Sequence, residues 1–472
     1  MRRYRKTKEL GHAETKLALV VKTLLLKYWD GLRSSFWFVP SAMAVAAGAL
    51  AFATVAVDES LSDEVLRVLA WVYTGGAEGA SLVLSTIAGS MITIAGVVFS
   101  MTLVALSLAS SQLGPRLLRN FMRDTTNQLV IGTFVSTFVY CLLVLRTIRR
   151  ADEVLFVPHL SVTLGVLLAL VSLGVLIYFI HHVAVSIQAD QVIARVAAEL
   201  MEGIERLFPA QIGHAEQKHE GEALDAGWPA SFDRDARPIL AAEDGYLNFI
   251  DPDALMTLAV QEKLLLRLQS RPGHYIVKGR PLVMVWPADR ISDKLTEQVN
   301  EAFVLGDQRT AAQDIEFSVH QLVEIAVRAL SPGINDPFTA MTCVDRLGSA
   351  LYRMAQRELP SRYRFDEHGA LRLITRAPTF PDVVDASFNQ IRQHSRSDAA
   401  VTIRLLETIA VVAHAVRTPD DRAALQRHVA MIARAARDGL PEDEDRRVVA
   451  QRYQAALGVL RESTGTVRAA AS

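Results

Sequence analysis

The sequence predicts a membrane protein: a four-helix transmembrane region (N-in, C-in) followed by a mixed α+β, mostly helical cytoplasmic domain. Three observations carry this fold class. Half of the 472 residues are hydrophobic (50 %), the mean hydropathy is +0.21, and the apolar excess falls before residue 190. Residues 80–111 run for thirty-two positions without a charged side chain. As a helix such a run reaches well over 40 Å at about 1.5 Å per residue, more than the roughly 30 Å of a bilayer's hydrocarbon core. The formal charge of -1 hides a basic N-terminus, an apolar middle and a charge-rich C-terminal half.

Residues 1–35 form a basic juxtamembrane segment with nine Lys or Arg against three acids. Within it residues 17–29 mix apolar side chains with lysines, as a helix lying on an anionic membrane surface does. Residues 36–180 hold the spans, at about 36–57, 80–108, 125–145 and 154–180. The first opens on the aromatic belt Phe36, Trp37 and Phe38. Asp58, Glu59, Asp63 and Glu64 make the first connection acidic, and Glu78 stands just before the second span. After that span Gly114 and Pro115 stop the helix and Arg116, Arg119 and Arg123 form a basic turn. With the N-terminus inside, the inner segments carry twelve basic residues and the outer loops four. That asymmetry sets the predicted orientation.

A connecting helix is expected over 181–208 and a polar linker over 209–238. A small β-rich module follows over 239–290, and a helical cytoplasmic domain over 291–472. In the module, PGHYIVKGRPL (residues 272–282) resembles the glycine turns of small biotinyl or lipoyl-type barrels, without a lysine at a hairpin tip to carry a swinging arm.

In the second span Thr86, Ser90, Thr93, Ser100, Ser107 and Ser111 follow spacings of four, three, seven, seven and four, so they share one helical face. They are the pore-lining candidates, with Glu78 at the outer mouth and Arg116, Arg119 and Arg123 at the inner. Hydroxyls also serve helix packing, and Gly89 and Gly96 beside the stripe suit a close helix contact. A contact seldom needs hydroxyls over about six turns, whereas a hydrated pathway uses them all. No acid lies within the four predicted spans, which speaks against a proton relay and for a passive route.

Arg328, Ser331, Asn335, Asp336 and Thr339 crowd a polar corner. Asp336 and Pro337 read as the cap and first position of a helix, and a small ligand or a subunit contact is the functional alternative. His181 and His182 mark a membrane edge and lack a third ligand for a metal. Cys141 and Cys343 belong to no metal or redox spacing, and no phosphate loop, nucleophile elbow or zinc-protease helix occurs. No pattern calls for a cofactor, a metal or nucleic acid, and no catalytic residue emerges.

FSMTLVALSLASSQLGPRLLRNFMRD (99–124), GYLNFID (245–251), GDQRTAAQDIEFSV (306–319) and LSPGINDPFTA (330–340) together resemble the predicted bacterial inner-membrane proteins catalogued as domain of unknown function 2254. The resemblance runs end to end, implies four spans in an inner membrane, and supplies no catalytic residue. The functional expectation is an oligomer of this chain forming a passive ion or small-solute pathway lined by the hydroxyl stripe and regulated by the cytoplasmic domain. The alternative is a membrane-anchored scaffold or sensor without transport, and an enzyme ranks behind both.

Overall fold

The computed structural model describes residues 37–60, 73, 75–114, 125–148, 156–186, 188–208, 229, 231–357 and 359–470. The chain divides into two units, residues 1–188 and 189–472.

Four long apolar helices form the first unit: α1 (Phe38–Ser60), α2 (Ala77–Leu113), α3 (Thr125–Thr147) and α4 (His159–Ser186). Each is long and apolar enough to cross a membrane. α1 and α2 both pack on α3, and α4 packs on α2 and α3. Small residues permit the close approach: beside Gly132 of α3 lie Met43 and the Pro40 backbone, and beside Gly165 of α4 lies Leu84. The core runs from Ala47, Ala51 and Val55 through Leu84, Tyr140, Cys141 and Val144 to Val162.

At one end of this core stands a buried carboxylate. Asp58, 6 % exposed on the last turn of α1, accepts from the Leu160 and Ser161 amides at 2.9 Å and from the Ser161 hydroxyl at 2.6 Å. It thereby caps α4 from another helix. The Tyr140 hydroxyl donates to the Ser161 carbonyl at 3.0 Å and lies 3.0 Å from the Thr54 hydroxyl, which ties α3 to both.

The second unit is mostly helical with two sheets. α5 (Ala189–Leu207) buries Val192, Ile193, Val196, Leu200 and Ile204, so residues 181–208 divide between α4 and this helix. After α6 (Phe232–Asp235) come β1 (Arg237–Leu240), β2 (Gly245–Ile250), α7 (Pro252–Gln261), β3 (Leu265–Leu268), β4 (Tyr275–Ile276), β5 (Pro281–Trp286), α8 (Asp293–Glu301) and β6 (Phe303–Gly306). Then follow α9 (Ile315–Ala329), α10 (Pro337–Ala355), β7 (Tyr363–Phe365), β8 (Leu371–Ile374), α11 (Phe380–His394), α12 (Ala399–Ala413), α13 (Pro419–Gly439) and α14 (Asp443–Ala470). α5 packs on α9 and α10.

One sheet has the order β1-β5-β3-β8-β7 and the other β4-β2-β6. The sequence predicts only helices after residue 291, and the structure adds the strands β6, β7 and β8. They are three or four residues long, too short for an alternating pattern, and exist because distant partners pair with them. Nor do the glycine turns belong to one small barrel. Gly273 (φ +91°) and Gly279 (φ +78°) place β4 between β3 and β5, yet β4 pairs with β2 in the other sheet. Caps follow local chemistry: Asp251, Ser292, Thr379, Asp398 and Thr418 each accept an amide from the first turn of α7, α8, α11, α12 and α13.

Between α11 and α13 lies His428, fully buried, its Nε2 2.6 Å from Asp385 Oδ1, with Arg427 on the same carboxylate at 2.6 Å and Phe388 edge-on. Burial pushes the imidazole below the ordinary value of 6.5, aided by Arg427 and Arg392 and opposed by Asp385. Burial works against the charged carboxylate too, but His428 and Arg427 hold Asp385 below the usual range.

Two outcomes are expected. Asp58→Ala lowers the unfolding free energy by about 2–3 kcal/mol, because several buried donors lose a charged acceptor at once; denaturant unfolding of the detergent-solubilised chain measures it. His428 binds its proton more readily unfolded than folded. Its contribution is therefore complete above about pH 6.5 and is lost as pH falls through the lowered folded value. A melting temperature that is flat from pH 7 to 8 and drops below 6.5, with a shallower drop in His428→Gln, is the signature.

Candidate functional site

α2 is 37 residues long, about 55 Å at the helical rise, and has two opposed faces. One is packed: Ala77, Ser81, Leu84, Ala88, Met91, Ala95 and Val98, alternating four and three apart, are all buried. That alternation is the seam of left-handed helix packing. The hydroxyl stripe lies two residues further on, roughly 200° round the helix at about 100° per residue. Thr86, Ser90, Thr93, Ser100, Ser107 and Ser111 are all exposed. The structure places the six on one face, as the spacing predicts, and all six stand exposed among the described residues.

Four of these hydroxyls donate to their own helix: Thr86 to the Leu82 carbonyl at 2.7 Å, Ser90 to Thr86 at 2.8 Å, Thr93 to Gly89 at 2.8 Å and Ser111 to Leu108 at 2.9 Å. Their donors are satisfied within the helix, and what each oxygen offers outward is acceptor capacity. Gly89 and Gly96 lie on the same side, and a methyl group added at either meets nothing within 4 Å. Unlike Gly132 and Gly165, these two have no neighbour among the described residues that a side chain would meet. Further along, Thr93, Gly96, Ser100, Val104, Leu108 and, from α4, Val183 border an open groove of about 690 Å³.

Glu78 is exposed in the first turn of α2, where its charge suits the helix dipole. Arg116, Arg119 and Arg123 lie outside the described residues. The expectation that Asp58 belongs to the acidic first connection is corrected: its carboxylate is buried and committed to α4. It also falls inside α1, which continues to Ser60. The signal that could have found it is its place on the buried Ala47, Ala51 and Val55 face.

The corner between α9 and α10 is a cap. Asp336 accepts from the Thr339 amide at 3.1 Å and hydroxyl at 2.6 Å, and the Ser331 hydroxyl donates to the Arg328 carbonyl at 2.6 Å. The Thr339 hydroxyl holds Asp336 below the usual carboxylate range. Asn335 adopts φ 51°, a left-handed conformation that asparagine tolerates. Local hydrogen bonds account for Ser331, Asp336 and Thr339, and Asn335 is exposed. His181 and His182 sit on the last turns of α4, with His182 stacked on Tyr178 at 5.8 Å. Among the described residues no group of three His, Cys, Asp or Glu could hold a metal ion.

The profile of the predicted membrane proteins DUF2254 matches residues 33–411. Uncharacterised proteins of Mycobacterium tuberculosis and Mycobacterium bovis are each 32 % identical over 434 residues, covering 89 % of this chain and 80 % of the relative. No solved structure matches the chain. A match over most of the length, with four helices able to span a bilayer, makes the assignment plain: the chain belongs to the DUF2254 family of predicted membrane proteins.

Proposed function

We propose that copies of this chain associate along the outward face of α2 in a bacterial inner membrane, and that its hydroxyl stripe lines a passive pathway for ions or small solutes. One observation supports this above the rest: a face bearing six hydroxyls and two glycines with open space beside them lies opposite the packed seam and stands exposed among the described residues. Lipid makes no use of glycine at two positions seven apart, whereas a neighbouring helix does. Hydroxyl oxygens with outward lone pairs suit water and hydrated ions. With the N-terminus inside, as the basic residues favour, the second unit is cytoplasmic and regulates the pathway.

A scaffold or sensor is the second reading. It is favoured by the internal hydrogen bonds of the stripe, which let the same face rest in lipid without unsatisfied donors.

Cysteine crosslinking in native membranes, with Cys141 and Cys343 replaced by alanine, separates assembly from its absence. Ser100→Cys is expected to form a disulfide-linked dimer and Ala95→Cys, on the packed seam, none. In liposomes the wild type is expected to pass ions at a rate that Thr93→Leu together with Ser100→Leu lowers by about tenfold, the loss of a desolvation contribution near 1.4 kcal/mol. Crosslinking without flux under any voltage, pH or tension establishes the scaffold reading.

A further inference from the structure

Inside the second unit β3 and β8 run parallel, Leu266 opposite Leu373 and Arg267 opposite Ile374, so both chains leave the sheet at the same end. Loops at the carboxyl ends of parallel strands are where α/β sheets bind ligands. Here they carry Arg271 and His274 after β3 and Arg376 after β8, and Arg376 reaches across to donate to the Gln269 carbonyl at 3.1 Å.

Arg271 donates through Nη2 to Glu316 at 2.8 Å and through Nε to His274 Nε2 at 3.2 Å. A histidine that accepts at Nε2 carries its proton on Nδ1 and is a donor there. Between them Gly273 (φ +91°) presses its backbone against the Arg309–Asp314 pair, which has no room for a side chain there. Arg271 thus bonds His274 directly, Arg309 lies against Gly273, and Arg376 reaches the same loop at Gln269, with the carboxylates of Glu316 and Asp314 paired to the first two. Burial, then Arg271, lowers the proton affinity of that imidazole, and Arg376 and Arg309 add to it with Glu316 opposing.

Ion pairing alone accounts for Arg271 with Glu316 and for Arg309 with Asp314. It does not account for Arg376. Among the described residues no carboxylate pairs with it, its bond there is to a neutral carbonyl, and it stands exposed. A third positive charge on these loops, with no carboxylate of its own, leaves them an excess that attracts an anion.

We propose that the loops after β3 and β8 form a binding site for a phosphate group, held by the Arg376 and Arg271 guanidinium groups and His274 Nδ1. Guanidinium matches a tetrahedral oxyanion two oxygens at a time, and the excess of one positive charge is neutralised by the ligand. The phosphate belongs either to a soluble phosphorylated compound or to a lipid headgroup. The site is independent of how α2 assembles.

The test is thermal unfolding of the full chain in a neutral detergent, titrated with pyrophosphate or with short-chain phosphatidate against sodium chloride and short-chain phosphatidylcholine at equal ionic strength. A dose-dependent rise with pyrophosphate identifies a soluble ligand, and a rise with phosphatidate alone identifies a headgroup. In either case Arg376→Gln is expected to weaken the response about tenfold, the loss of one charge-assisted bond, and the exposed Arg434→Gln to leave it unchanged. His274→Gln serves as the second variant should Arg376→Gln melt lower without ligand. No rise above the controls with either probe, or a rise that both site variants retain, overturns the proposal.

Discussion

A carboxylate placed on one helix to cap another holds the membrane unit in register. In hydrocarbon the first amides of a helix have no water to turn to, and an uncapped N-terminus costs several kcal/mol. Asp58 answers that need for α4 from the end of α1, and Tyr140 of α3 closes the loop through the Ser161 carbonyl. Helix packing between apolar surfaces in lipid has little directional preference, since lipid tails are as apolar as leucine. A polar junction among three helices therefore sets which residues of α1, α3 and α4 face one another. The mid-span bond between Thr137 and Ser172, at 3.0 Å, continues that registration along α3 and α4.

With α3 and α4 so fixed, α2 has one side occupied and one side open. The two sets of glycines tell these sides apart. Gly132 and Gly165 are filled by neighbours of the same chain, whereas Gly89 and Gly96 face outward into free space. The hydroxyls follow the glycines. Four of them bond within α2 itself, and among the described residues the side that carries them stands exposed.

The spans are legible because an uncharged run of bilayer length has few other uses; α1 and α4 begin two and five residues later than the expected spans, and all four helices end beyond them. The hydroxyl stripe was legible as an angle on a wheel. Which neighbour met that angle was not, because periodicity assigns faces without assigning partners. Asp58 departs from expectation for a related reason: a charge ends an apolar run when counted along the chain, yet its spacing from Val55 keeps it on the buried face. In the second unit the caps at Asp251, Asp336 and Thr379 could be anticipated from local chemistry. The strands β7 and β8 could not, since Tyr363–Phe365 and Leu371–Ile374 become strands only through each other and through β3. Likewise Arg271 and Arg376 lie far apart in sequence, and only the parallel pairing brings their loops together.

That parallel pairing also sets an order of events. β3 emerges from the ribosome roughly a hundred residues before the strand it must pair with, since Leu266 waits for Leu373. Until then its edge is open, a template for pairing with other chains. Contacts of such sequence separation close slowly because the loop entropy is lost before they form. The sheet and the helices α9 and α10 that lie between these strands therefore complete together, and a chain cut between β5 and β8 leaves β3 paired with β5 on one side and open on the other.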